Sequence, residues 1–224
     1  MKLAELVSHP LSLADAQCYA AMIYQLRREP KAVLRHANDL MTNSVNNELV
    51  TWRHNAEILL GWATATLYDK ERGIAMMRAA LEAREVRGTK MRQVYYLAIL
   101  AELLGDASQV DARLVVVDQA LVMLDQSGER RWEPLVHRIK GDLWCTQQDF
   151  IRAELCLKQS LNSARRDDAK SFELAAAHSL ARLYNNQGRS TDAQDLLAPI
   201  YNWFTEGLET SDLKDAKALL DQLC

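Results

Sequence analysis

Residues 141–157, GDLWCTQQDFIRAELCL, carry the spacing that decides the fold of this chain. Gly141 stands three positions before Trp144, and Ala153 and Leu157 follow the glycine by twelve and sixteen positions. Small side chains let two helices approach closely, while the aromatic and leucine side chains fill the space between them. The stretch therefore predicts a hairpin of two packed helices.

The same spacing recurs along the chain with a period of forty residues. The small residues at this period are Ala21, Gly61, Ala101, Gly141 and Ala181. Sixteen positions after them stand the apolar residues Ala37, Met77, Val117, Leu157 and Leu197. Twelve positions after them the third repeat departs from the pattern, because Arg113 stands where the others have Val, Gly or Ala. A repeat of this length predicts stacked helical hairpins that share a continuous core.

This pattern resembles the tetratricopeptide repeat (TPR), a helical hairpin with a small residue, an aromatic, an alanine and a large apolar residue at similar spacing. The period exceeds the ~34 residues of a typical TPR and approaches the ~40–47 of HEAT and armadillo repeats, so HEAT is the structural alternative. The resemblance implies an all-α fold, a right-handed superhelical solenoid of about five TPR-like hairpins followed by a C-terminal capping helix.

We expect a single repeat domain over residues 1–224. Its units are predicted at approximately 12–45, 49–87, 89–127, 130–167 and 169–206, with the capping helix at 211–223. The glycines just past predicted helix ends are Gly88, Gly105, Gly128 and Gly188. At the N-terminal end, Leu3, Leu6 and Val7 offer too few apolar side chains for a matching cover. We therefore expect the chain to come from a longer one.

The composition favours long helices, because 224 residues include only four prolines and eight glycines. Twenty-seven basic and thirty acidic side chains give a net charge of −3, too little positive charge for nucleic-acid binding. The apolar runs are shorter than the ~20 residues that span a membrane, and Met1–Pro10 lacks the pattern of a secretory signal. We expect a cytoplasmic protein that binds neither nucleic acid nor membrane.

The sequence contains no motif typical of catalysis or metal binding. Its five histidines form neither H-E-x-x-H nor a pair at i, i+4, and its four cysteines form no C-x-x-C pair. It also lacks a Walker-type phosphate loop and a G-x-S-x-G nucleophile elbow. We expect no catalytic residue, no metal site and no cofactor, and therefore a protein that is not an enzyme.

Two stretches resemble a more specific group of proteins. They are HPLSLA at 9–14 and the tail with LLAPIY at 196–201, WFTEG at 203–207 and DLK at 212–214. Both are similar to the C-terminal region of large bacterial regulators, which place a nucleotide-cyclase or other output domain and a STAND-type signalling ATPase ahead of TPRs. The resemblance implies the sensor or scaffold arm of a bacterial signalling regulator, with the ATPase and output domains upstream in a longer parent chain.

The TPR resemblance also assigns the binding groove to the first helix, the A helix, of each hairpin. Counting from the small residues selects Asn55, Trp62, Tyr95, Glu102, Arg138, Asp142, His178, Arg182 and Asn185 as partner-binding candidates. Trp62 and Tyr95 are the preferred anchors, because rigid aromatic side chains bury a large area on association. Arg138 and Arg182 can each fork to a partner carboxylate. Alternatively, the charged candidates pair with one another between neighbouring helices.

The sequence thus predicts a non-catalytic module that binds a protein or peptide segment through the concave surface of its A helices. Two alternatives stay open at this point. One is a structural module that self-associates, and the other is a sensor of a small molecule or a peptide pheromone.

Overall fold

The structure, a computed structural model, describes residues 9–104 and 110–223. Leu3, Leu6, Val7 and Gly105, which enter the sequence predictions, lie outside these residues. The described α-helices are α1 (Pro10–Leu26), α2 (Pro30–Asn46), α3 (Val50–Leu67), α4 (Lys70–Val86), α5 (Gln93–Leu103), α6 (Val110–Ser127), α7 (Glu133–Thr146), α8 (Phe150–Arg166), α9 (Lys170–Asn186), α10 (Ser190–Asn202) and α11 (Ser211–Leu223). A short 3-10 helix, Arg130–Trp132, precedes α7. No strand occurs in the part of the chain that the structure describes.

The chain divides into two compact units, Met1–Leu103 and Leu104–Cys224. Helices α1 to α5 belong to the first unit, and α6 to α11 to the second. Within the units the helices pack in successive pairs, α1 with α2, α3 with α4, α7 with α8 and α9 with α10. The predicted all-α class of helical hairpins is confirmed, while the single domain over 1–224 stays a prediction.

Glycines stand where the two helices of a hairpin approach most closely. A Cβ atom on Gly61 of α3 would lie 2.7 Å from Met77 Cγ and 2.8 Å from the carbonyl oxygen of Gly73, both on α4. A Cβ atom on Gly141 of α7 would lie 2.6 Å from Leu157 Cγ on α8. The crossing points therefore fall on the residues twelve and sixteen positions after the glycines, as the sequence spacing predicts.

The remaining small residues of the forty-residue column are also in the core. Ala21, Ala101 and Ala181 have no exposed surface. The column thus marks the buried side of the A helices in both units, where a larger side chain would displace its neighbours.

Helix α11 covers the C-terminal end of the second unit. Its Leu213, Ala216 and Leu219 are buried in the same apolar cluster as Ala181 and Leu197. One face of the helix carries these residues, since their spacing of three matches the helical period. The predicted capping helix is confirmed.

Candidate functional site

Four of the predicted partner-binding residues lie in the first unit, and three of them are buried there. Asn55 and Tyr95 have no exposed surface, and Trp62 is 6% exposed. Trp62 and Tyr95, expected as aromatic anchors on an open groove, are core residues of this unit in the structure.

Side chains of α5 reach across to α1, and this contact buries the hydroxyl of Tyr95. The Tyr95 hydroxyl donates a hydrogen bond of 2.8 Å to Gln25 Oε1, and the Tyr96 hydroxyl lies 3.7 Å from Cys18 Sγ. The residues that meet here are 70 and 78 positions apart in the chain. A count within a forty-residue repeat does not reveal such contacts, so the sequence analysis missed them.

Asn55 is a buried polar residue of this core whose side-chain oxygen is bonded, while its Nδ2 has no hydrogen-bond partner among the described residues. Asn55 accepts a hydrogen bond from the guanidinium of Arg84. Burial raises the pKa of the Tyr95 hydroxyl well above its ordinary value of 10.0, and the nearby Cys18 and Glu102 raise it further. Tyr95 therefore stays a neutral hydrogen-bond donor. Glu102 itself is half-buried near the end of α5.

The second unit brings four other candidates together on α7 and α9. Arg138 and Asp142, one helical turn apart on α7, form an ion pair with 3.0 Å between Arg138 Nη1 and Asp142 Oδ2. The same carboxylate oxygen accepts a hydrogen bond of 3.3 Å from the Ser179 hydroxyl on α9. Because Ser179 lies between His178 and Arg182 on α9, the two A helices present these side chains to one region. We name Arg138, Asp142, His178 and Arg182 the second-unit face.

His178 experiences charges from α7, α9 and α11. Burial lowers the pKa of its imidazole below the ordinary value of 6.5, and Arg182 lowers it further, while Asp215, Asp142 and Asp212 act in the opposite direction. Since lowering prevails, the imidazole is neutral near pH 7. Near neutral pH the charges of this region are therefore those of the arginines and aspartates.

Arg182 differs from the other cation of the second-unit face. It is exposed, and no hydrogen bond or ion pair joins its guanidinium to another described residue. Arg138 is held by Asp142 on its own helix. The alternative of charge pairing between neighbouring helices therefore does not account for Arg182.

The remaining candidate, Asn185, contacts the next helix. Its Oδ1 accepts a hydrogen bond of 2.9 Å from the Ser190 hydroxyl at the start of α10. Asn185 thus joins the A and B helices of the last hairpin, a contact that stabilises the turn between them.

Cys145, at the end of α7, lies close enough to the second-unit face for Asp142 and Arg182 to act on its thiol. Burial raises its pKa to about 11, Asp142 raises it too, and Arg182 lowers it. A thiol with such a pKa is protonated at neutral pH and a poor nucleophile.

Within residues 9–104 and 110–223, no group of three or more His, Cys, Asp or Glu side chains is placed to hold a metal ion. No helix in the described ranges combines the length and the apolar character needed to cross a membrane.

No protein-family model matches the chain, and no curated protein matches it in sequence. Among solved structures, the chain is similar to a protein of Podosopora anserina described as a kinesin light chain with nearly identical TPR-like repeats, with a TM-score of 0.56 and 14% sequence identity. The match covers 96% of this chain and 98% of that one. At this identity the likeness concerns the fold, and the chain therefore has the TPR-like helical repeats that the spacing of its small residues predicts.

Proposed function

We propose that the chain is a non-catalytic module that binds a protein or peptide segment through the second-unit face. The observation that carries this proposal is the guanidinium of Arg182, which is exposed and makes no hydrogen bond or ion pair with a described residue. An arginine in this state has all its donors available, and two of them fit a carboxylate side by side. TPR-like folds are typical of protein interaction, which agrees with such a role.

The charges around Arg182 indicate which partner segment fits. Asp142, Asp212 and Asp215 act on His178 and so lie near the same face. A uniformly acidic segment would be repelled by these carboxylates. We therefore propose a partner segment that places one carboxylate at Arg182 and carries no further acidic groups beside it.

The biological setting that we propose rests on the sequence resemblance described above. The segments at 9–14 and 196–214 are similar to the C-terminal region of bacterial regulators with STAND-type ATPases. In that setting the chain is the sensor or scaffold arm of a signalling regulator in the cytoplasm, and the partner's binding is passed on to ATPase and output domains of a longer parent chain.

Affinity capture with matched variants tests the binding surface. The intact chain, Arg182→Ala and Arg78→Ala are used as baits in lysate of the source cell, and the affinity of the captured partner is then titrated. Arg78 is an exposed arginine on α4 of the first unit and controls for the loss of a surface charge. Loss of one fully used arginine contact is expected to weaken binding by about tenfold, equivalent to ~1.4 kcal/mol. Equal partner affinity of Arg182→Ala and the unchanged chain would contradict the proposal.

Self-association is the second candidate function, and exposed apolar side chains on α8 favour it. Ile151 is 86% exposed and Leu155, one turn further, is 59% exposed. Adjacent exposed apolar side chains of this kind are typical of interaction surfaces. Light scattering over a dilution series, repeated with Ile151→Glu and Leu155→Glu together, measures it. A monomer at every concentration rules this function out.

A further inference from the structure

Helix α5 is apolar on all sides and buried on all sides. Every residue from Gln93 to Ala101 is buried. An amphipathic helix of a repeat has one covered and one open face, whereas a helix that is apolar all round requires cover from every direction. The cover on the A-helix side of the first unit comes from α1.

Three side chains connect α5 and the residue before it to α1, and we call these contacts tethers. Arg92 Nη2 lies 2.6 Å from Asp15 Oδ1, and the hydroxyls of Tyr95 and Tyr96 contact Gln25 and Cys18. In addition, the Arg92 guanidinium lies over the ring of Tyr19, 4.6 Å from its centroid. The helix itself packs against α3 and α4, and these long side chains connect it to α1 along most of the length of α1.

Arg84 of α4 holds the turn that precedes α5. Its guanidinium donates to Asn55 Oδ1, to the carbonyl oxygen of Met91 and, at 3.3 Å, to Gln93 Oε1. It also lies 5.1 Å from the centroid of the Tyr96 ring. The buried cation thereby fixes both the turn and the first residues of α5.

The backbone of Arg92 adopts a left-handed conformation, with φ +63°. Arg28, Glu48, Gln148 and Asp168 adopt the same conformation at other turns between helices, so it belongs to the turn before α5. At Arg92 the side chain in addition contacts Asp15 and Tyr19 of α1.

We propose that residues 92–103 form a latch, which closes the A-helix face of the first unit by docking on α1 and opens when the pair Arg92–Asp15 breaks. Asp15 is the accessible end of this pair, because its side chain is 46% exposed while that of Arg92 is 5% exposed. Opening uncovers Tyr95, Asn55 and Cys18. The latch is separate from the second-unit face, so either proposal can fail without the other.

Alkylation of Cys18 by iodoacetamide tests the latch in the full chain. Cys18 has no exposed surface and lies under Tyr96, so it reacts only when α5 leaves α1. Cys156, a buried thiol of α8 in the second unit, serves as the internal reference, and peptide mass spectrometry separates the two rates. Asp15→Asn is expected to raise the Cys18 rate by about tenfold through easier local opening, with the Cys156 rate unchanged.

Two further variants test a second tether and control for the loss of an exposed ion pair. Tyr95→Phe removes one tether and keeps the ring in the core, so it is expected to raise the Cys18 rate without loss of helicity. Glu29→Gln breaks the exposed pair with Arg27 just after α1 and is expected to leave the Cys18 rate unchanged. Equal Cys18 rates in the unchanged chain, Asp15→Asn and Tyr95→Phe would overturn the latch. So would a Cys18 rate that rises only together with that of Cys156, because α5 would then leave α1 only in global unfolding.

Discussion

Gly73 shows how little space separates the two helices of a hairpin. A Cβ atom on this residue of α4 would lie 2.3 Å from the backbone nitrogen of Ala65 and 2.4 Å from the carbonyl oxygen of Gly61, both on α3. Backbone atoms cannot move aside as the end of a flexible side chain can. The distance between α3 and α4 therefore depends on glycine at this position.

The substitution Gly73→Ala decides between two opposite effects. Helix propensity alone would stabilise the protein by ~1 kcal/mol, whereas the clash with α3 destabilises it by ~1–3 kcal/mol. We expect the clash to prevail, so the free energy of unfolding, measured in urea, falls. Ala79→Gly, at an exposed position of the same helix, is the control and changes propensity without changing packing. An increase in stability for Gly73→Ala would contradict this crossing point.

Residue-scale packing of this kind is the part of the structure that the sequence predicted best. The close approach of Gly61 to Gly73 and of Gly141 to Leu157 follows from spacing within one hairpin. Such contacts are local, and the requirement for a small residue leaves a clear mark in the sequence. The exposure of Arg182 and the burial of Trp62 could not be predicted in this way, because they depend on which helices lie opposite.

At the scale of elements, both glycine and non-glycine residues adopt the left-handed conformation just after helix ends. Gly188, which follows α9, has φ +75°, and Gln148, which follows α7 forty residues earlier, has φ +59°. At both ends the next backbone N–H returns to a carbonyl oxygen five residues back, on Tyr184 and on Trp144. This is the hydrogen bond of a Schellman motif. The sequence predicted the helix ends that are followed by glycine. It did not predict the end at Gln148, because glutamine is not typical of turns.

A reciprocal exchange at these two ends tests the strain. Gln148→Gly relieves a left-handed residue with a Cβ, so the free energy of unfolding is expected to rise by about 1 kcal/mol. Gly188→Gln introduces the same strain and is expected to lower it by a similar amount. Thermal unfolding of both variants measures the two changes in stability. Changes of the same sign in the two variants would show that backbone strain is not the cause.

Glu173 joins the end of α8 to the start of α9. Its carboxylate lies 2.8 Å from Arg165 Nε and 3.0 Å from Lys170 Nζ. Burial acts to raise the pKa of this carboxyl, but the hydrogen bonds from Arg165 and Lys170 outweigh burial and lower the pKa below 4.5. The ionised form therefore stabilises the folded state.

The pH dependence of stability follows from the lowered pKa of Glu173. The contribution of Glu173 is present above pH 4.5 and is lost as the pH falls through its lowered pKa. Glu173→Gln is expected to reduce stability at pH 7 and to flatten its loss below pH 4.5. Glu209→Gln, which breaks an exposed pair with Lys214, is expected to change little. If the free energy of unfolding fell by the same amount below pH 4.5 in the unchanged chain and in Glu173→Gln, this role would be contradicted.

At the scale of the whole molecule, one buried and two half-buried histidines in the two units respond to pH in one direction. Burial is the largest cause that lowers the pKa of His36 in the first unit and of His137 and His178 in the second. A lowered pKa means that the unfolded chain binds protons more readily than the folded one. Folding stability is therefore expected to fall as the pH decreases from 6.5 towards the lowered values. Unfolding in urea at pH 7.5 and 5.5 measures this, and a gain at the lower pH would refute it.

The contacts that close the first unit are the part of the whole molecule that the sequence did not predict. Tyr95 and Gln25 are 70 positions apart, so their meeting depends on how several hairpins follow one another and on the reach of two side chains. A repeat pattern describes neighbours and predicts an open A-helix face. The structure instead fills this face in the first unit and leaves Arg182 exposed in the second.

Site-specific photo-crosslinking in the source cell tests the central claim, partner binding at the second-unit face, most directly. A photoreactive amino acid replaces Asn186, which is exposed on α9 one helical turn after Arg182, in one variant, and replaces Arg78 in a second, so that Arg182 is kept in both. The account predicts one crosslinked partner at 186, suppressed by excess unlabelled chain, and none at 78. Crosslinking at 78 equal to that at 186, or none at 186 while the unchanged chain still captures its partner, would contradict it.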